Sequence, residues 1–430
     1  MSQVIYDNIL ASLYLTIWIL TLIWYQKKSR ILDAGSAIIA TYIMYAVFSL
    51  FTLNDIMFSD FYKPLKVFPY IYLYVMLMIA LSPIIYIHLK PAKKLENPHT
   101  RILSFISIMV FISSVLLIPE IITNFNTGIV KLFTDNEGGK DAYMERIEEA
   151  SEAGSSISNI PAIIYHSFAD IAIFLFYYHL TLGKTKKYIL LMLAFTIFIG
   201  IVLPIMYGQR SGIVSAILTN IATYLLFRQY ISRKINHFIQ IAGLAGMIAT
   251  AIPIAAITIS RFSNLGGGII GFVNWYVGQG SLYFNNFALD AGGTRNGDRT
   301  FNLAKRLIDP ETPKNYVERR DKYHNLNIDD DIYSTFVGDF VIDFGPIVAV
   351  FIFIFFNALM IYVIRPRDGT LKLHQCLLLH FCICICMQGG MSLYSYADGG
   401  NLRIVTMLML YGYLRYHEKL QESFPLARRV

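Results

Sequence analysis

Long apolar stretches separated by short polar breaks run along nearly the whole chain. Runs of about 18 or more apolar residues mark spanning helices. Eleven such stretches are predicted, at about 6–25, 34–52, 68–89, 102–122, 160–182, 188–207, 212–227, 238–259, 337–364, 373–393 and 401–414, the last of them short. Helix is the expected form, because backbone polar groups in lipid must be satisfied within their own segment. The predicted fold class is an all-α polytopic membrane protein. It has one integral membrane domain over residues 1–430 and a large outward loop, 261–336, between the eighth and ninth helices.

Composition agrees: 55% of the residues are hydrophobic and 15% are charged. Lys and Arg then orient the helices, since cytoplasmic loops carry the excess. Every second loop is basic, with Lys27, Lys28 and Arg30 in the first, Lys184, Lys186 and Lys187 after the fifth stretch, and Arg415 and Lys419 in the tail. Twenty basic residues fall on that side against seven on the other, the long loop set aside. The N-terminus is therefore expected outside and the C-terminus inside, and the net charge of +7 is largely topological rather than a sign of nucleic-acid binding. The first apolar run lacks a basic start and an Ala-x-Ala site, so it reads as a retained helix. The cysteines Cys376, Cys382, Cys384 and Cys386 share the tenth stretch without a nearby acidic cluster and read as packing residues. No spaced ligand set for a metal and no cofactor motif is found.

Two outward loops exceed the usual length, and long loops are usually functional or disordered. The first, 123–159, holds a helix-forming acidic segment and then a Gly154-Ser155-Ser156 break, which fits a spacer or a mobile gate. The second, 261–336, carries nine basic and nine acidic residues. Its opening, 269–288, is apolar and aromatic but broken by Gly271, Gly278 and Gly280, which suits an interfacial or re-entrant helix. Trp275, Tyr276 and Tyr283, with Asn274, are either an aromatic belt at the headgroups or stacking and hydrogen-bonding partners for sugar rings. Next come Arg295 and Arg299 in a glycine-rich stretch, and guanidinium forks match phosphate oxygens. Arg210, in Gly208-Gln209-Arg210-Ser211-Gly212, opens a helix at the outer surface, where free N–H groups and the dipole favour an anion. The competing reading is an arginine snorkelling to lipid phosphates. Arg261 and Arg403 are further anion contacts. His324 is a candidate base by its near-neutral titration, and Asp339 and Asp343, four apart on one helix face, are candidate acids or bases that would pair with Arg403 or Arg261.

The Gly208-Gln209-Arg210-Ser211-Gly212 turn, the late outward loop with His324-Asn325 near its end, and Val337-Gly338-Asp339 through Asp343-Phe344-Gly345-Pro346 together resemble the bacterial oligosaccharide repeat-unit polymerases, the O-antigen polymerase (Wzy) type, relatives of the O-antigen ligases. The resemblance covers most of the chain as architecture, through short motifs. It implies a multi-pass protein of the bacterial inner membrane, acting at the periplasmic face on oligosaccharides carried by undecaprenyl pyrophosphate. It implies metal-independent glycosyl transfer with a pyrophosphate leaving group, no cofactor, and membrane lipids and a chain-length regulator as partners. By that resemblance Arg210 would grip the pyrophosphate, with Arg295 and Arg299 in support, and His324 would match the ligase base by context. The paired Arg-x10-Gly motif of some members is not present at Arg210 or Arg261. A lipid-oligosaccharide flippase is the rival expectation, with mid-helix Asp170 and His166 as its candidate relay, and a ligase-like transferase is a second.

Overall fold

In the computed structural model the described residues are 3–29, 31–62, 64–90, 92–96, 100–130, 160–262, 268–330, 332–366, 369–394 and 397–423. Most of the first outward loop, 131–159, with its expected acidic helix and its break, lies outside them. The architecture is all-helical: α1 Gln3–Ser29, α2 Ala34–Leu53, α3 Val67–Leu89, α4 Thr100–Val115, α5 Ile160–Leu182, α6 Lys187–Met206, α7 Arg210–Phe227, α8 Arg233–Phe262, α9 Gly268–Asn286, α10 Thr335–Phe344, α11 Pro346–Ile364, α12 Leu373–Gln388 and α13 Ala397–Ser423. Among the described residues nine helices are long and apolar enough to cross a membrane: α1 to α3, α4 with the short helix that follows it, α5 to α8, and α11. The chain is thus a polytopic membrane protein in class. Helices α12 and α13 occupy the last two predicted stretches; α12 is shorter, and α13 runs on into a polar end.

Large side chains such as Leu191, Phe238, Phe351 and Phe355 are exposed on the helix bundle. A water-soluble monomer rarely shows so much contiguous apolar surface, whereas lipid tails satisfy it. Between helices in lipid there is little hydrophobic drive, so close van der Waals packing and polar contacts hold the bundle. The contact of α9 with α2 illustrates this. A Cβ on Gly278 would stand 2.4 Å from the Phe48 backbone, so only glycine permits the approach. At the other end of the bundle, Lys94–Leu95 pairs in parallel with Thr370–Leu371, and Glu96 accepts the N–H of Leu373 at 3.0 Å to seat the start of α12.

One predicted element is corrected. The stretch 337–364 is not a single helix but α10 and α11, broken at Gly345–Pro346. Pro346 has no N–H to give the carbonyl four residues back, and a proline bars its predecessor from helical backbone. Gly345 stands at φ 80°, ψ 159°, a region open almost only to glycine. The orphaned carbonyl of Ile342 accepts instead the N–H of Arg295, at 3.0 Å. The break thus ties the long loop to α10. At its other end α10 is tied to the turn that follows α12, where Thr335 and Phe336 donate their N–H groups to the carbonyls of Met391 and Gly389, each at 2.9 Å.

Candidate functional site

The segment 287–334 is folded around buried charge. Arg295, 1% exposed, places Nε 2.7 Å from Asp343 and pairs through Nη1 with Asp330. Arg299 sets Nε 2.9 Å from Asp339 in ion-pair contact and lies 3.6 Å from Asp330. Arg319, from the short helix Tyr316–Lys322, meets Asp330 at 2.5 Å. Three guanidiniums thus balance three carboxylates. Asp343 also accepts the N–H and hydroxyl of Thr300, both at 2.8 Å, and Asp339 accepts the N–H of Leu393 at 2.6 Å. Burying charges is costly unless they are paired and hydrogen-bonded; here each charge is paired, and the contacts of Arg295 and Arg319 with Asp343 and Asp330 are also hydrogen bonds. Burial alone would raise the Asp330 carboxyl, but the charges of Arg295, Arg299 and Arg319 hold it well below the usual range.

A second knot lies beside it. Asp298, fully buried, is held by Lys305, by Lys322 at 3.0 Å and by the Tyr323 hydroxyl at 2.7 Å, and these outweigh burial and lower its carboxyl. Asn302 donates to Asp398 at 2.7 Å, and Arg306 pairs with the same carboxylate, fastening the loop to the start of α13. Asp339 and Asp343 therefore share a face as expected, but they pair with Arg299 and Arg295, not with Arg403 or Arg261.

The other arginines gather elsewhere. Arg210 is the first residue of α7, and the guanidinium carbon lies 4.4 Å from the Phe262 ring centroid and 4.8 Å from that of Tyr276. One nitrogen lies 3.4 Å from the Thr258 hydroxyl. Arg261, one residue before the end of α8, donates to the carbonyl of Gly208 at 2.9 Å, in the turn that precedes Arg210. Tyr276 in turn meets the Tyr333 hydroxyl at 3.0 Å. The start of α7, the end of α8 and the middle of α9 thus bring two guanidiniums and several aromatic rings to one corner at the loop end of the bundle. A guanidinium over aromatic faces is held in place while its edge still carries N–H donors.

The remaining aromatics of α9 are engaged within the protein. Trp275 donates to the Tyr62 hydroxyl at 2.7 Å and stacks on Phe58 at 5.2 Å. Tyr283 is buried and bonds the backbone of Asp329, while Asn274 is half-buried. His324 is exposed, with Nδ1 2.7 Å from the carbonyl of Asp321. Arg403 lies 3.8 Å from Asp170, donates to the carbonyl of His166 at 3.1 Å and faces the Tyr394 ring; Tyr394 also bonds Asp170. Mid-helix Asp170 is therefore paired within the bundle. Among the described residues no three His, Cys, Asp or Glu side chains gather as a metal ligand set.

Sequence reading did not single out Arg319, Asp298, Lys322 or Phe262. The equal numbers of acidic and basic residues in the loop were the available signal for internal pairing. Which charge meets which depends on contacts tens of residues apart. Comparison of the chain with models of known families, with curated proteins and with solved structures finds no match.

Proposed function

We propose that the protein is a membrane glycosyltransferase of the O-antigen polymerase type, joining undecaprenyl-pyrophosphate-linked repeat units at the outer face of the bacterial inner membrane. On this reading the chain spans eleven times, with the N-terminus periplasmic, the C-terminus cytoplasmic and the long loop outside. The observation that carries it is the convergence of Arg210 and Arg261 with Phe262 and Tyr276 at the loop end of the bundle. A pyrophosphate at headgroup depth would meet guanidinium donors and the N-terminus of α7 there.

In the reaction the acceptor hydroxyl oxygen bonds to the donor sugar's anomeric carbon. The bond from that carbon to the pyrophosphate oxygen breaks, and the lipid pyrophosphate leaves with the electron pair. Preorganised donors aimed at the leaving oxygens stabilise that charge. The hydroxyl proton goes to a base. Asp339 and Asp343 are buried with their oxygens engaged, so exposed His324 is the better candidate of the three. Arg295 and Arg299 are assigned to holding the loop in shape, and the pyrophosphate to Arg210 and Arg261. The glycan would run over Tyr276 and Tyr333, with Trp275, Tyr283 and Asn274 shaping α9 beneath.

The test is reconstitution of the purified protein with lipid-linked repeat units from the same bacterium and a chelator of divalent metals, the products being run on a gel. A ladder that disappears in a folded Arg210→Ala protein supports the reading. A ladder that survives moves the pyrophosphate away from this corner. No ladder with verified substrate, together with transport that fails in Asp170→Ala, favours the flippase.

A further inference from the structure

The end of the bundle opposite the long loop carries a cavity that the proposed reaction does not use. Helix α11 begins beside the loop at Pro346 and ends at Ile364; α12 then starts back, and α13 runs out to Ser423. Between the far ends of α11, α12 and α13 lies a cavity of about 480 Å³. Its wall holds Arg365, Lys372, Arg415 and Lys419, four basic residues against one carboxylate, Glu418. That carboxylate is engaged, since Lys372 pairs with it and His374 Nδ1 lies 3.0 Å from it. Arg415 and Lys419 are exposed and one helical turn apart, where like charges repel. Arg415 is braced by the Tyr411 hydroxyl at 3.1 Å, which aims a planar donor into the space.

The outer rim points to the kind of ligand. Phe355, Leu359 and Tyr362 form an exposed stripe along α11, at 74, 42 and 78% exposure, that leads from the apolar surface to the cavity mouth. Tyr362 lines both stripe and cavity. A basic pocket that opens onto a lipid-facing apolar stripe is complementary to a molecule with a phosphate at one end and acyl chains at the other. Basic pockets between helix ends on the cytoplasmic side hold anionic headgroups by this chemistry.

We infer that this cavity binds a phosphate-bearing anion, held by Arg365 and Arg415 with Lys419 at the rim, and that the stripe on α11 accommodates the tail when the phosphate belongs to a phospholipid. The inference does not depend on the proposed reaction.

The full-length protein, purified in a neutral maltoside detergent, is titrated with dioleoyl phosphatidylglycerol or dioleoyl phosphatidylcholine and followed by native mass spectrometry. Inorganic phosphate and glycerol 3-phosphate are added in separate arms with thermal unfolding as readout. The pocket variant is Arg365→Gln with Arg415→Gln. The comparison variant is Arg233→Gln with Lys234→Gln, at the start of α8 and outside the cavity. Preferential retention of phosphatidylglycerol, weakened roughly 30-fold in the pocket variant but not in the comparison variant, supports the site with a lipid source; that is the change expected for two charges near a headgroup. Stabilisation by the soluble phosphates that is lost only in the pocket variant supports the site with a soluble source. Equal weakening in both variants, or none in either, overturns the inference. Should the double variant not fold, Lys419→Glu, a charge reversal at an exposed position, is read against the same outcomes.

Discussion

At the scale of single residues, two groups of arginines with the same chemistry are set apart by their surroundings. Both are buried, but Arg210 lies over aromatic rings, whereas Arg295 is enclosed by carboxylates. Their alanine variants should therefore fail differently. If the proposed function holds, Arg210→Ala, which leaves no carboxylate unpaired, is expected to lower the melting temperature less than Arg295→Ala and to lose about 100-fold or more in polymerisation rate, the usual scale for removing a charge-stabilising donor. Polymerisation assays beside thermal unfolding check both parts. Arg295→Ala leaves Asp343 buried without its partner, and breaking such a pair costs about 3–5 kcal/mol. A large drop in melting temperature is expected, whatever the activity. The acid side of the stability profile follows from Asp298 and Asp330, whose carboxyls are lowered in the folded protein. A lowered folded value means the stabilisation is complete above the ordinary carboxylate value of about 4, declines as pH falls below it, and is gone beneath the depressed value. Scanning fluorimetry from pH 6 to pH 3 should show a falling melting temperature below about pH 4, with a shallower fall in Asp298→Asn.

At the scale of elements, the Gly345–Pro346 break decides how the loop meets the membrane helices. Gly345→Ala would force a side chain into φ 80°, at a cost of about 1–3 kcal/mol, and is expected to lower the melting temperature and expose the 290–334 segment to protease. Protection of that segment equal to the unaltered protein's would show that the break does not anchor it. The break could have been read from Gly-Pro within a predicted helix; the length of the surrounding apolar run hid it. The other long helices were legible because lipid requires uninterrupted apolar runs, and period and length then leave little choice. Helix α9 was legible as a helix, but the expected break was not found: α9 runs unbroken from Gly268 to Asn286, and Gly278 and Gly280 instead mark close approach of backbone. The loop's inner fold was not legible. Arg295 meets Asp343 across 48 residues, and no local pattern specifies such a partner. A loop rich in arginine and glycine looks like an anion cradle until the carboxylates that fill it are located.

At the scale of the whole molecule, the proposed eleven-span orientation has a direct check. The native cysteines are buried, so added ones report alone. Glu311→Cys, in the long loop, should react with a membrane-impermeant maleimide in intact spheroplasts, and Arg233→Cys should react only after permeabilisation. The reverse pattern would invert the protein and move Arg210 to the inner face. Arg295 is synthesised 48 residues before Asp343, a delay of about 2–10 s at ordinary elongation rates. Through that interval the loop cannot close, because the carboxylate and the Ile342 carbonyl that complete it do not yet exist. Helix α11 cannot be laid into the membrane without first delivering both. A nascent chain stalled before Asp343 would therefore carry an open, protease-sensitive loop, and a finished chain a closed one, so that maturation of this domain is timed by translation of the helix that follows it.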